Sequence, residues 1–128
     1  MSSDQSKYKI QVSTVTMYLP EQSDPSSQRF AFAYTITIRN VGTIAARLTH
    51  RHWVITDASD SVQEVNGEGV VGETPTIEPG EQYVYTSGAM LTTSVGTMHG
   101  HYDFVASDGH RFEAEIPVFT LSIPRTLH

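Results

Sequence analysis

The chain has 128 residues, no cysteine and a formal net charge of −6, from eight Lys+Arg against fourteen Asp+Glu. One domain of this length buries roughly two-thirds of its unfolded surface and needs no disulfide or metal staple. The composition excludes disulfide frameworks, thiolate metal sites and cysteine nucleophiles, and an acidic chain whose only lysines are Lys7 and Lys9 is a poor match for the nucleic-acid backbone.

The N-terminal MSSDQSKYK lacks the apolar run of a signal peptide, and no stretch approaches 18 apolar residues. A cytoplasmic protein with no membrane partner is expected, folded as a single domain over 1–128 with residues 1–7 flexible. Short runs of Val, Ile, Thr, Tyr and Phe between Gly, Pro, Asn, Asp and Ser clusters then signal strands throughout. Tyr8–Leu19 alternates Ile10 and Val12, then slips phase to Val15, Met17 and Leu19, which predicts a bulge or a break into two strands. Pro20–Gln28 is polar with two prolines and reads as an exposed loop. Phe30–Asn40 is the cleanest strand, with Phe30, Phe32, Tyr34, Ile36 and Ile38 on one face and Ala31, Ala33, Thr35, Thr37 and Arg39 on the other. Asn40-Val41-Gly42 ends it. Ala45–Thr56 carries the only tryptophan, Trp53, placed to fill the core, and leads into a DASDS turn. Further strands are predicted at Glu81–Ser87, Gly100–Ala106 and Arg111–Leu121, the last two joined by a tight hairpin at Ser107-Asp108-Gly109-His110.

No window holds a 3.6-residue apolar period, so no long amphipathic helix is expected. Six to eight strands with closely spaced turns predict an all-β fold: an immunoglobulin- or fibronectin type III-like β-sandwich of about seven to eight antiparallel strands, with a closed barrel as the alternative.

Gly67, Gly69 and Gly72 match G-x-G-x-x-G, the dinucleotide-binding fingerprint. That fingerprint needs a helix to begin on it, so that free N–H groups and the helix dipole meet the pyrophosphate. Here Glu73-Thr74-Pro75-Thr76-Ile77-Glu78-Pro79-Gly80 follows, and two prolines before a Pro-Gly turn forbid the helix. The Rossmann reading fails. Two readings remain: glycines that supply positive φ and room in a loop at one end of the sandwich, or a backbone nest for an anion. Against the second stand Glu64, Glu68, Glu73 and Glu78, which repel phosphate unless a divalent cation bridges them.

His50-Arg51-His52 and His99-Gly100-His101 are both H-x-H pairs, each able to offer two imidazoles from one strand face. They become a four-nitrogen metal site only if their strands are neighbours; as polar surface they need no ligand. Tyr83 and Tyr85 share a face and read as a core pair. No serine sits in G-x-S-x-G, and Asp57 and Asp60 fall in a turn, where carboxylates bond their own backbone. No enzyme and no cofactor is expected.

FAYTITIRN (32–40), GEGVVGETP (67–75), PGEQYVYTSGA (79–89), GTMHGHYDF (96–104) and IPVFTLSIP (116–124), in this order and spacing, resemble the bacterial ApaG family over almost the whole chain. The resemblance implies a fibronectin type III-like sandwich. It also implies links to diadenosine tetraphosphate metabolism and, under the name CorD, to cobalt and magnesium homeostasis. The same domain in eukaryotic F-box proteins and in a DNA-polymerase-delta-interacting protein implies partner binding, and the family supplies no catalytic residue. The expectation is therefore a non-catalytic module binding a protein, a second copy of itself included. The alternative is pyrophosphate or nucleotide phosphates at Gly67, Gly69 and Gly72, with a divalent cation.

Overall fold

The computed structural model describes residues 4–124, so residues 1–3 of the segment expected to be flexible lie outside the described residues, while Asp4–Lys7 forms a 3-10 turn. Eight strands follow: β1 Ile10–Tyr18, β2 Phe30–Asn40, β3 Ala46–Asp57, β4 Val62–Glu68, β5 Thr76–Ile77, β6 Gln82–Leu91, β7 Val95–Ala106 and β8 Arg111–Ser122. All pairings are antiparallel. One sheet runs β1-β2-β6 and the other β4-β3-β7-β8, with β5 on β3 beside β4, so the chain is a two-sheet sandwich and not a closed barrel.

The alternation of β2 holds. Phe32, Tyr34, Ile36 and Ile38 are buried against the opposite sheet, where Leu48, Trp53, Met98, Tyr102, Phe104 and Ile116 meet them. Each such large apolar side chain contributes about 1.5–3 kcal/mol on burial. Trp53, 3% exposed, packs edge-on against Tyr34, Tyr102 and Phe119. Asn40, the one buried polar side chain among the described residues, closes β2. Its amide donates to the carbonyls of Ile44 and Ile77, and its Oδ1 accepts from the Gly42 amide. Burial without those bonds would cost more than the strand end gains.

The phase slip in β1 is not a bulge. β1 pairs with β2 without interruption from Ile10↔Asn40 to Tyr18↔Phe32. The apolar residues simply change face, leaving Val15 71% and Met17 64% exposed on the outside. The expected hairpin at 107–110 is present, with Gly109 at φ 88 and the Asp108 carboxylate accepting from the His110 amide. Tyr8 reaches it across the fold: its hydroxyl donates to Asp108 Oδ2 at 2.7 Å and its ring stacks on His110.

Candidate functional site

The three glycines do three different things. Gly67 is not in a loop: it lies within β4, opposite Arg51 of β3. A Cβ there would stand 2.6 Å from Arg51 Cζ, so the missing side chain makes room for the guanidinium. Gly69 has φ 63 and passes so close to the Glu73 carbonyl that a Cβ would sit 2.1 Å from its oxygen. Gly72 (φ 82) follows Val71 (φ 43) at the tip of a two-residue turn, closed by Val70 N–H to Glu73 O and Glu73 N–H to Val70 O. Positive φ at both central residues is the I′ geometry, and a β-branched residue in that region is strained. Among the described residues the amides of Val71 and Gly72 donate to nothing; those of Gly69, Val70 and Glu73 are spent on Thr49, Glu73 and Val70.

A bulge between Leu48 and His50 shifts the phase of β3, so the inner face passes from Ala46 and Leu48 to Arg51 and Trp53. His50 and His52 face outward, so the residue between them faces in, beside Trp53. Arg51 Nη1 donates to the Glu68 carbonyl at 3.1 Å and the Gly69 carbonyl at 2.9 Å, which ties the guanidinium to the base of the loop. No carboxylate among the described residues lies within ion-pair distance of it. Its neighbours instead line a cavity of about 160 Å³ between the sheets: Tyr34, Trp53, Tyr85 and Ser87, closed on one side by Val70, Val71 and Gly72. Arg51 is the site residue that the sequence reading passed over, because the flanking histidines drew the chemistry.

The histidine pairs do lie on neighbouring strands, yet the four rings do not converge. In the β3–β7 register His52 stands opposite His101, their rings stacked 5.0 Å apart, whereas His50 stands opposite Asp103 and His99 opposite Val54. His52 is held by Asn66 and lies 3.4 Å from Glu64. The set that does gather is His101, Asp103 and Glu113, with ligand atoms all within 4.8 Å of one another on the exposed face of the larger sheet. A shallow cleft of about 490 Å³, lined by His50, Asp103, Arg111, Phe112 and Glu113, adjoins it. Asp57 behaves as a turn carboxylate, accepting from the amides of Ser59 and Ser61.

The sequence profile of the ApaG domain matches residues 20–106. The chain is 65% identical over 122 residues to Protein ApaG of Thiobacillus denitrificans, covering 95% of this chain and 96% of that one. It is 56% identical to Protein ApaG of Dechloromonas aromatica over 98% and 99% of the two chains. The chain belongs to the ApaG family. Its fold is similar to the crystal structure of a Bordetella pertussis protein named ApaA, at a TM-score of 0.90 and 50% identity, covering 92% of this chain and 96% of that one.

The matched ApaG region holds β2 to β7 and the whole glycine loop, while β1 and β8 lie outside it. Within it, Tyr85 and Tyr102 join hydroxyls at 2.6 Å in the interior behind Arg51. Burial pushes both phenols well above the ordinary tyrosine range, against the opposing pull of the Arg51 charge, so both stay protonated donors at neutral pH. Tyr83 keeps its ring 6.3 Å from that of Tyr85, as the sequence pairing of the two predicts, and gives its hydroxyl to Glu73 Oε1 at 3.0 Å, which fixes the far end of the loop. Among the described residues no helix is long and apolar enough to cross a membrane.

Proposed function

We propose that this ApaG-family chain is a non-catalytic binding module whose partner is another protein. The observation that supports it best is the outer face of the β1-β2-β6 sheet. Its cross-strand rows read Val15–Thr35–Thr86, Met17–Ala33–Gly88 and Ala31–Met90. No charge stands in these rows, although the chain as a whole carries a net −6. Val15, Met17 and Met90 are 71%, 64% and 53% exposed, and only Ala31 in these rows is buried, beside the 19–23 turn. A contiguous uncharged patch rimmed by polar residues is what a docking surface requires. β6, the border of this sheet away from β1, adds a route by strand addition.

Photo-crosslinking side chains at 15 and 90, with Glu115 of the other sheet as control, test this in a bacterium carrying an ApaG relative. The expected result is one protein adduct shared by positions 15 and 90, lost on adding untagged chain and absent from 115. No adduct, or the same adducts from 115, would overturn it.

The second reading, phosphate binding at Gly67, Gly69 and Gly72, draws support from the unused amides of Val71 and Gly72 and from the cation at the loop's base. Gly67 and Gly69 enter it only as the room that lets Arg51 and the loop take their places.

A further inference from the structure

The cavity beside the loop joins three features suited to an anion. First, Arg51 is half-buried and bears a charge that no carboxylate among the described residues balances. Its Nη1 is used on two loop carbonyls, leaving the other guanidinium donors free. Second, Tyr34 lines the cavity with its ring buried, while its hydroxyl makes no hydrogen bond to the chain and its oxygen stays open to solvent, where a ligand can reach it. Third, Tyr85 also lines the cavity and is paired behind it with Tyr102. When Tyr102 donates to Tyr85, the Tyr85 proton is left to donate onward. Every polar side chain around this space is therefore a donor or carries a hydroxyl, and none is an acid.

We propose that the Arg51–Tyr34–Tyr85 cavity is a site for one small oxyanion, a phosphate or carboxylate group, held by the Arg51 guanidinium and the Tyr34 hydroxyl. Its size sets the class of ligand. About 160 Å³ is some five waters' worth of liquid at about 30 Å³ each. It falls below the roughly 300 Å³ at which pockets begin to enclose a whole drug-sized molecule. A lone phosphate fits, as does the carboxylate of a peptide or metabolite; a nucleoside does not. The guanidinium suits both anions because its paired N–H groups match two oxygens side by side. The strained Val71 and the unpaired Gly72 amide form the rim, so the ligand would meet the loop at its least stable residue. This narrows the loop reading to a single oxyanion and moves its principal contact from glycine amides to Arg51.

Amide and Arg Nε–H NMR titrations with sodium phosphate and, separately, sodium acetate test it on the full chain. The expected result is saturable shifts at Val71, Gly72, Glu73 and Arg51 Nε with at least one anion at millimolar concentration. Arg51→Gln should abolish them, and Tyr34→Phe, which keeps the buried ring, should weaken binding about tenfold, as the loss of one charge-assisted hydrogen bond predicts. Phosphate alone identifies a free or esterified phosphate as the ligand; acetate alone identifies a carboxylate. No saturable shift with either, or shifts unchanged in both variants, would overturn the site. A third arm uses pyrophosphate with Mg²⁺. Loop shifts that survive Arg51→Gln would sustain the glycine-loop reading while eliminating this cavity. Should Arg51→Gln fail to fold, Tyr34→Phe alone decides.

Discussion

Single residues around the loop show why a motif and its cause can lie on different strands. The spacing of Gly67, Gly69 and Gly72 was plain in the sequence, and so was the failure of the helix that a dinucleotide site needs. What stayed hidden was Arg51. The pattern that reveals it, an arginine between two outward histidines and two residues from a core tryptophan, is present in the sequence, but it runs against the expectation that charge stays outside. Two substitutions separate the roles of loop residues. Gly69→Ala combines positive φ with a collision at the Glu73 carbonyl, and should lower stability by more than about 1 kcal/mol. A melting temperature equal to wild type would show that the backbone there is not constrained. Val71→Asn has the opposite sign. It gives the turn an Asn-Gly pair and relieves a β-branched residue at φ 43, worth about 1 kcal/mol of added stability in urea unfolding. A loss instead of a gain would mean that the Val71 side chain is needed where it stands.

Strands were legible in proportion to how cleanly they alternate. β2, with one face buried and the other mostly not, was read almost to the residue. β4 was missed because Glu64, Asn66, Gly67 and Glu68 are poor strand formers, and as an edge strand it buries almost nothing. In β1 the apolar slip was visible but its meaning was not: a strand can change the face it keeps apolar without changing its pairing, and only the partner's register distinguishes the two. The distinction is measurable. Val15→Ser with Met17→Ser should leave chemical stability within about 0.5 kcal/mol of wild type, since both side chains are exposed. Trp53→Ala, in the core, should cost about 3–5 kcal/mol. A large loss from the β1 pair would mean that these residues are covered in solution, as a stable dimer would cover them.

At the scale of the whole molecule, the sequence reached the sandwich but not which strands meet. The adjacency of β3 and β7, which decides whether the histidines form a site, is a long-range pairing set by the two sheets together. The same assembly sets the response to pH. Asp24, Asp57 and Asp108 are held below the ordinary carboxylate value. At Asp24 the hydroxyls of Ser26 and Ser27 do this, and at Asp108 the Tyr8 hydroxyl and then the His110 amide. At Asp57 desolvation pushes upward, but the Ser59 and Ser61 amides and the Thr92 hydroxyl outweigh it. Lowered folded values mean stability that is present above the unfolded value of about 3.9 and lost as pH falls through the folded ones. Tyr85 and Tyr102, raised, add stability that is full below about pH 10 and lost as pH rises beyond it. The urea midpoint should therefore fall on both sides, with Asp108→Asn flattening the acid limb and Tyr102→Phe the alkaline one. Limbs unchanged by these variants would remove those groups as the cause.

The uninterrupted pairing of β1 has one more consequence. IQVSTVTMY, 10–18, is nine residues of edge strand with no charge and no proline, and β6 at the other border of the same sheet, QYVYTSGAML, has neither, in a chain of net charge −6. Natural sheets usually guard such a border with a lysine or a kink. Without that guard, storage at high concentration becomes a contest between the global negative charge and two adhesive borders. Salt, which screens the first and leaves the second, should tip it toward fibrous precipitate.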